Sequence, residues 1–215
     1  MKDKKIIIIF LTALFLRLAV ASLYHHSDAD TIFYWGKYLW ETKNFLGFLG
    51  KEVPNAMPAV YPPLFYYLLF VWRGFYFLVK DIIWFFNVNV SFFPSSVISW
   101  FESYEVSVGF NKIIAITADF GCAYFIYKIS LLISGNKKLA TGSAFFFLFF
   151  PTSWYLSAYW GQVDSIWGFF VLLSVYALLK EKTFLAVFFA GISILFKQTA
   201  VLFFPLILFY SFKKK

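Results

Sequence analysis

Long apolar runs, separated by short basic segments, dominate the pattern of this chain. A run of about 20 apolar residues has the length that a transmembrane helix needs. The pattern therefore predicts an all-α fold: a polytopic helical membrane protein with about six spans, in one membrane domain over residues 1–215. The runs cover residues 6–23, 113–133, 139–156, 166–179 and 183–212.

The run over residues 6–23 is predicted to be a retained first span rather than a cleaved signal peptide. Residues 24–109 then form a long outer loop with interfacial helices, and residues 110–212 contain the remaining spans. Within the loop, residues 31–42 carry apolar side chains at helical spacing. This spacing predicts an amphipathic helix that lies in the membrane interface.

Tyr61-Pro62-Pro63 opens a further apolar helix, predicted over residues 64–79, because proline suits the first turn of a helix. Basic clusters should be cytoplasmic, which requires an even number of crossings between the first cluster and Lys137. The helix over 64–79 is therefore predicted to lie at the outer surface or to dip in and return. The alternative is that this helix and residues 81–100 both cross. The basic clusters lie at residues 2–5, 137–138, 180–182 and 213–215.

Lys197-Gln198 interrupts the last apolar run. Each flanking arm has about 14 residues and reaches roughly 21 Å, which is short of a bilayer core about 30 Å thick. We therefore expect a broken hairpin with Lys197 inside the membrane thickness, where a charge needs a partner or a wet cavity. The alternative is one long, tilted helix with a snorkelling lysine.

Composition narrows the class of protein. The chain is 61% hydrophobic and 14% charged, whereas soluble domains carry about 25% charged residues. The net charge of +8 comes largely from lysines at the chain ends and in short loops, which is topology signalling and not a nucleic-acid surface. A single cysteine, Cys122, excludes a disulfide framework and a zinc-type spacing.

The candidate chemistry centres on Asp28 and Asp30, which follow the first span and belong to the outer loop in this topology. Two carboxylates at a membrane face suit acid–base work on a substrate, although a solvated loop is the alternative. The sequence leaves open a Mg²⁺ or Mn²⁺ ion at Asp28 and Asp30, and a metal site with His25 and His26. No other metal-ligand spacing is present.

Other charged residues have two interpretations each. Arg17 is either a snorkelling side chain or a cation directed at a lipid phosphate or at Asp28. Asp164 is either a ligand for sugar hydroxyls or a helix cap. Asp119, inside a span, needs a partner, so a structural hydrogen bond competes with a catalytic role.

Five motifs in this order resemble the GT-C superfamily of integral-membrane glycosyltransferases. The closest likeness is to dolichyl-phosphate-glucose-dependent glucosyltransferases and to prokaryotic polyprenyl-phosphate-sugar mannosyltransferases. The motifs are Ser27-Asp28-Ala29-Asp30 with Trp35, Tyr61-Pro62-Pro63-Leu64, Thr117-Ala118-Asp119, Trp160-Gly161-Gln162-Val163-Asp164-Ser165 and Lys197-Gln198.

The resemblance implies a GT-C-like fold with juxtamembrane helices in the first outer loop. It also implies a multi-pass protein of the plasma membrane in a prokaryote, or of the endoplasmic reticulum in a eukaryote. The implied reaction moves glucose or mannose from a polyprenyl- or dolichyl-phosphate donor to a hydroxyl of a lipid- or protein-linked acceptor, with inversion. Asp28 would be the general base and Asp30 its neighbour. Substrate contacts are expected from Arg17, Trp35, Tyr61, Gln162, Asp164, Lys197 and Gln198.

Members of that superfamily usually have several hundred residues, so this chain is expected to correspond to their N-terminal module. A second chain that supplies further spans is then an expected partner, besides the donor, the acceptor and membrane lipids. Two rival functions stay open. One is a membrane transporter or lipid flippase, and the other is a catalytically incomplete fragment or partner subunit.

Overall fold

The computed structural model of the chain describes residues 4–21, 23–24, 26–45 and 47–213. About 80% of the chain is helical, and these ranges contain no β-strand. The predicted all-α class is therefore confirmed. His25, named above for a metal site, and Lys2, Lys214 and Lys215 of the basic clusters lie outside the described residues.

Ten α-helices follow one another along the described chain. A π-helical segment, Tyr155–Trp160, precedes α8, and a 3-10 segment, Gln198–Phe203, precedes α10. The α-helices are α1 Lys4–Ala21, α2 Ser27–Thr42, α3 Pro63–Asn89, α4 Ser96–Phe101, α5 Tyr104–Ser134, α6 Lys137–Phe149, α7 Pro151–Trp154, α8 Asp164–Leu179, α9 Thr183–Phe196 and α10 Phe204–Lys213.

Helix α2 begins four residues earlier than predicted, so Asp28 and Asp30 lie in its first turn and not in a loop. His26 caps the helix, because its ring nitrogen accepts a hydrogen bond from the backbone N–H of Asp28 at 3.3 Å. Carboxylates are also favourable near the positive end of the helix dipole. The apolar face of α2 packs into the protein core, where Leu39 is fully buried. The sequence predicted that this face lies in the membrane interface. That prediction is wrong, because the face is covered by the protein core.

Helices α3 and α5 are both longer than the apolar runs that predicted them. Pro63 stands at the start of α3, as expected, but the helix continues ten residues past 79. Helix α5 begins at Tyr104, where the side chain of Ser103 caps it. Polar contacts accompany both extensions: Lys80 of α3 pairs with Glu102, and the hydroxyl of Ser107 in α5 meets that of Tyr76 at 2.9 Å. Apolar periodicity gives no signal for such contacts between distant residues.

Two breaks shape the second half of the chain. The predicted span over 139–156 is not one helix, because the chain bends before Pro151. Residues 137–149 and 151–160 meet at an angle of 50°. Lys197 has an extended backbone between α9 and the 3-10 segment, so the predicted break there is confirmed. The chain reverses after this break, because Ile207 of α10 packs in one cluster with Ala186 and Ala190 of α9.

Among the described residues, α5 is the one helix that is long and apolar enough to cross a membrane by itself. A second crossing arises if α6 and residues 151–160 count as one bent span. Helices α8 and α9, and residues 198–210, are apolar but shorter. The structure therefore supports an all-α protein with one or two candidate spans among the described residues. The predicted number of about six spans stays a prediction. Helix α5 is central, since α1, α2, α6 and α8 all pack against it.

Candidate functional site

The two carboxylates of α2 face different partners. One oxygen of Asp28, Oδ2, accepts hydrogen bonds from the indole N–H of Trp160 at 2.9 Å and from the amide of Gln162. Asp30 accepts instead from the hydroxyl of Tyr104 at 2.7 Å. Residues two apart on an α-helix point to nearly opposite sides, because each residue turns the helix by about 100°. Asp28 therefore belongs to the candidate site and Asp30 to the interface with α5.

Asp28 keeps one oxygen free. His26 also approaches Oδ2, at 3.3 Å from its ring nitrogen, and its ring stacks on Trp160 with 4.1 Å between centroids. Among the described residues, Oδ1 has no hydrogen-bond partner. The Asp28 side chain is 29% exposed. The carboxylate is thus oriented through Oδ2 and available to a ligand through Oδ1.

A π-helical turn presents the partners of Asp28. The N–H groups of Gly161 and Gln162 both donate to the carbonyl of Leu156, at 3.0 and 2.8 Å. Gly161 has φ +93°, a conformation that glycine adopts without strain. A Cβ atom there would lie 2.6 Å from the Cβ of Ala29, so α2 and this turn are in close contact. Such π-helical turns are rare and concentrate at functional sites.

A second cluster lies beside the first. The ammonium of Lys197 forms an ion pair with Asp164, whose Oδ1 also accepts from the indole N–H of Trp167 at 2.9 Å. Lys197 lies over the ring of Tyr61, 5.4 Å from its centroid. Gln198 donates to the carbonyl of Val60 at 3.4 Å. The Lys197 break and the Tyr-Pro-Pro segment therefore meet.

Asp164 does not cap α8, so the capping interpretation is wrong. Val163 occupies the cap position, and no side chain completes a cap there. Asp164 is the first residue of the helix, where a negative charge is favourable to the helix dipole. Its carboxylate is directed at Lys197 instead.

Electrostatics connects the two clusters. Burial raises the pKa of Tyr61; Lys197 lowers it in part, and the carboxylates of Asp164 and Asp28 raise it further. Lys197 pairs with Asp164 and supplies the cation of the site.

An apolar cavity of about 500 Å³ opens between α5, the α6–α7 bend and α8. Gln162, Asp164 and Ser165 line it where α8 begins, and Ile126 and Leu172 line it further along the helices. A second cavity of about 480 Å³ adjoins it, because the two share lining residues. The shared residues are Ile126, Phe147 and Phe150. Polar groups of the site therefore line the first of two neighbouring apolar cavities.

Arg17 lies away from this site. Its side chain is fully buried, and its Nε donates to Asp119 at 2.9 Å. The other guanidinium nitrogens donate to the carbonyls of Ala13 and Leu148 and to the hydroxyl of Ser153. The side chain neither snorkels nor reaches Asp28, because its hydrogen bonds are made inside the protein. Asp119 takes the structural role that the sequence left open.

Trp35 differs from its predicted role as well. Its side chain is 3% exposed, and its indole N–H donates to the carbonyl of Met57 at 2.8 Å. Its ring packs edge-on against Tyr61 and Tyr66, at 5.5 Å in both cases. Trp35 is therefore a core residue that supports the Tyr61 segment, and its face is not open to a sugar.

Sequence reasoning gave Lys112 no structural role. It is 2% exposed, and its ammonium donates to four backbone carbonyls. Two belong to the chain after α1 and two to the π-helical segment: Ala21, Tyr24, Ala158 and Tyr159. The sequence signal for this role was a lysine directly before the predicted span over 113–133. If such an ammonium is buried, it requires hydrogen-bond acceptors. Lys112 thus joins the chain after α1 to the π-helical segment.

A divalent cation at Asp28 and Asp30 stays a prediction. The two carboxylates are bound to different partners on different sides of α2. Within the described ranges, no three side chains of the His, Cys, Asp and Glu types are grouped to hold a metal ion. The site is thus one oriented carboxylate, one cation and an apolar cavity.

Comparison with protein-family models, with curated proteins and with solved structures finds no match to this chain. The functional interpretation therefore depends on the geometry of the site and on the motifs of the sequence.

Proposed function

We propose that this protein is a GT-C-type glycosyltransferase, which moves a sugar from a polyprenyl-phosphate donor to an acceptor hydroxyl. One observation carries the proposal: an oriented carboxylate with a free oxygen, Asp28, adjoins the polar end of an apolar cavity. A lipid-linked sugar has the matching parts, namely an apolar chain, a charged phosphate and a polar ring.

Asp28 acts as the general base in this proposal. Its free Oδ1 accepts the proton of the acceptor hydroxyl while that oxygen attacks the anomeric carbon of the donor. The bond between this carbon and the phosphate oxygen breaks, and its electron pair leaves with the phosphate. A single displacement of this kind inverts the anomeric configuration.

Lys197 supplies the cation for the leaving phosphate. Charge grows on the phosphate as the bond breaks, and a nearby cation stabilises that charge most in the transition state. Lys197 pairs with Asp164, which lines the cavity, so a phosphate at this end of the cavity lies within reach of the ammonium. Tyr61, Asp164 and Gln198 then bind and orient the donor around this charge.

The prenyl chain of the donor occupies the apolar cavities. The first cavity has the volume of a typical ligand site, and the second reaches Leu139 near the start of α6. In this topology the protein is multi-pass, in the plasma membrane or the endoplasmic reticulum, with the site at the outer face.

A lipid flippase is the second candidate, because neighbouring apolar cavities between the polar site and the first turn of α6 also suit lipid movement. The two functions differ in their products. Membranes containing the protein receive polyprenyl-phosphate glucose or mannose with a labelled sugar. A transferase forms a labelled glycoside, whereas a flippase moves the intact donor across the membrane and forms none.

The transferase proposal predicts that Asp28→Asn lowers sugar transfer by about 10²–10⁴-fold, because the amide cannot accept the proton. The amount of folded protein should not change. Asp81→Asn, the same substitution at an exposed carboxylate, is the control and should transfer at the wild-type rate. Equal transfer by Asp28→Asn and wild type would remove Asp28 from the mechanism.

A further inference from the structure

We infer that Gln162 is a specificity-determining residue, which selects a donor sugar with a ring hydroxyl that donates a hydrogen bond to Oε1 of Gln162. This inference rests on the proposed function. Ring hydroxyls of a pyranose are the chemical class that fits. Gln162 would orient Asp28 through its amide Nε2 and accept a hydrogen bond from the substrate through its Oε1.

The orientation of the Gln162 amide is dictated by chemistry. An ionised carboxylate only accepts hydrogen bonds, so the amide must turn its NH₂ group towards Asp28. The structure has this arrangement, with Nε2 donating to Oδ2. The amide oxygen, Oε1, is therefore directed away from the carboxylate.

Oε1 of Gln162 is buried and accepts no hydrogen bond from any described residue. Buried polar atoms in proteins are nearly always paired, and an unpaired one is costly. A donor from a bound ligand would complete this atom. Of the three side chains that contact the Asp28 carboxylate, Gln162 alone lines the 500 Å³ cavity.

Oε1 of Gln162 is thus an acceptor without a partner among the described residues, on the same amide that orients Asp28. A ring hydroxyl of the donor sugar can donate to it, which leaves Oδ1 of Asp28 to the acceptor hydroxyl. A sugar that lacks the hydroxyl facing Gln162 leaves Oε1 unpaired, and sites that bind a hydroxyl in this way reject the deoxy analogue strongly.

The test compares polyprenyl-phosphate glucose and mannose with their monodeoxy analogues, as donors and as ligands that raise the melting temperature of the purified protein. Wild type should discriminate against one deoxy analogue by about 100-fold or more in kcat/KM and in affinity. Gln162→Met, which has no acceptor there, should bring this ratio close to 1. Trp160→Phe removes another donor to Asp28 but leaves Oε1 in place, so it should slow transfer without changing the ratio.

Each outcome has a definite meaning. A ratio that is unchanged in Gln162→Met overturns the inference, even if sugar transfer takes place. Another outcome is that wild type binds one donor better than its deoxy analogue and yet transfers no sugar. If Gln162→Met abolishes that difference in binding, the inference is upheld and the transferase proposal is rejected. A wild type that binds none of these donors overturns both.

Discussion

Arg17 and Asp119 form an ion pair that is closed off from solvent, with both side chains at most 1% exposed. Their remaining hydrogen-bonding groups are satisfied by protein. Ser157 and Ser165 donate to Asp119, and the guanidinium reaches backbone carbonyls and Ser153. A buried pair is tolerated when its partners are this complete, whereas a lone buried charge is not. The pair links α1 to α5. The hydroxyls of Ser157 and Ser165 connect Asp119 to the π-helical segment and to the start of α8.

Removing one partner should therefore be far more harmful than removing both. Asp119→Asn is expected to lower the free energy of unfolding by about 3–5 kcal/mol, since it leaves the Arg17 charge buried and unpaired. The double replacement Arg17→Met with Asp119→Leu should recover most of that loss. Denaturant unfolding of purified protein in detergent measures both variants.

Asp81→Asn is the matched control, because it changes an exposed carboxylate and should shift stability by less than about 0.5 kcal/mol. If Asp119→Asn matched this control, the ion pair would have no structural role. The sequence predicted that Asp119 needs a partner, but for Arg17 it indicated a snorkelling side chain or a cation directed at a lipid phosphate or at Asp28. It could not pair them, because they are 102 positions apart in sequence and periodicity describes one helix at a time.

The π-helical segment and Gly161 set the distance between Asp28 and its partners. Trp160 ends the segment and Gln162 follows the glycine, so the geometry of this turn controls both hydrogen bonds to Asp28. The sequence left residues 157–165 between two predicted apolar runs and predicted a break at Lys197, where a charged residue interrupts the last run. The π-helical geometry itself has no such compositional signal, and therefore stayed unseen.

Gly161→Ala should weaken this arrangement. The left-handed backbone alone disfavours alanine by about 1–3 kcal/mol, and the new Cβ would press on Ala29 beside Asp28. We expect a loss of stability of that size in denaturant unfolding, together with reduced sugar transfer. Gly191→Ala is the control: it lies within α9 with open space around it, so it should be neutral or stabilising by up to about 1 kcal/mol. Equal stability of the two variants would contradict the strained turn.

At the scale of the whole molecule, the sequence predicted the helical class correctly. Four residues that the resemblance assigned to substrate contact lie near Asp28 in the structure, and that role stays a prediction: Tyr61, Gln162, Asp164 and Lys197. The sequence misplaced Trp35 and Arg17, because an aromatic or a cation near a motif has the same sequence signal whether it faces a ligand or the core. Burial depends on packing between distant helices, which one sequence does not encode locally. The orientation in the membrane follows from charge alone and needs its own test.

Single cysteines test that orientation in a Cys122→Ser background, since Cys122 is the chain's one cysteine and is buried. Lys51→Cys and Ser95→Cys lie at exposed positions of the predicted outer loop. Both should react with a membrane-impermeant maleimide in intact cells, or in inverted vesicles if the membrane is the endoplasmic reticulum. Lys138→Cys, exposed in a basic cluster, should react only from the cytoplasmic side because basic loops stay there. Ala140→Cys, fully buried, should react from neither side. Reaction of Lys51→Cys only from the cytoplasmic side would place Asp28 at the inner face, where an outer-face transferase could not use it.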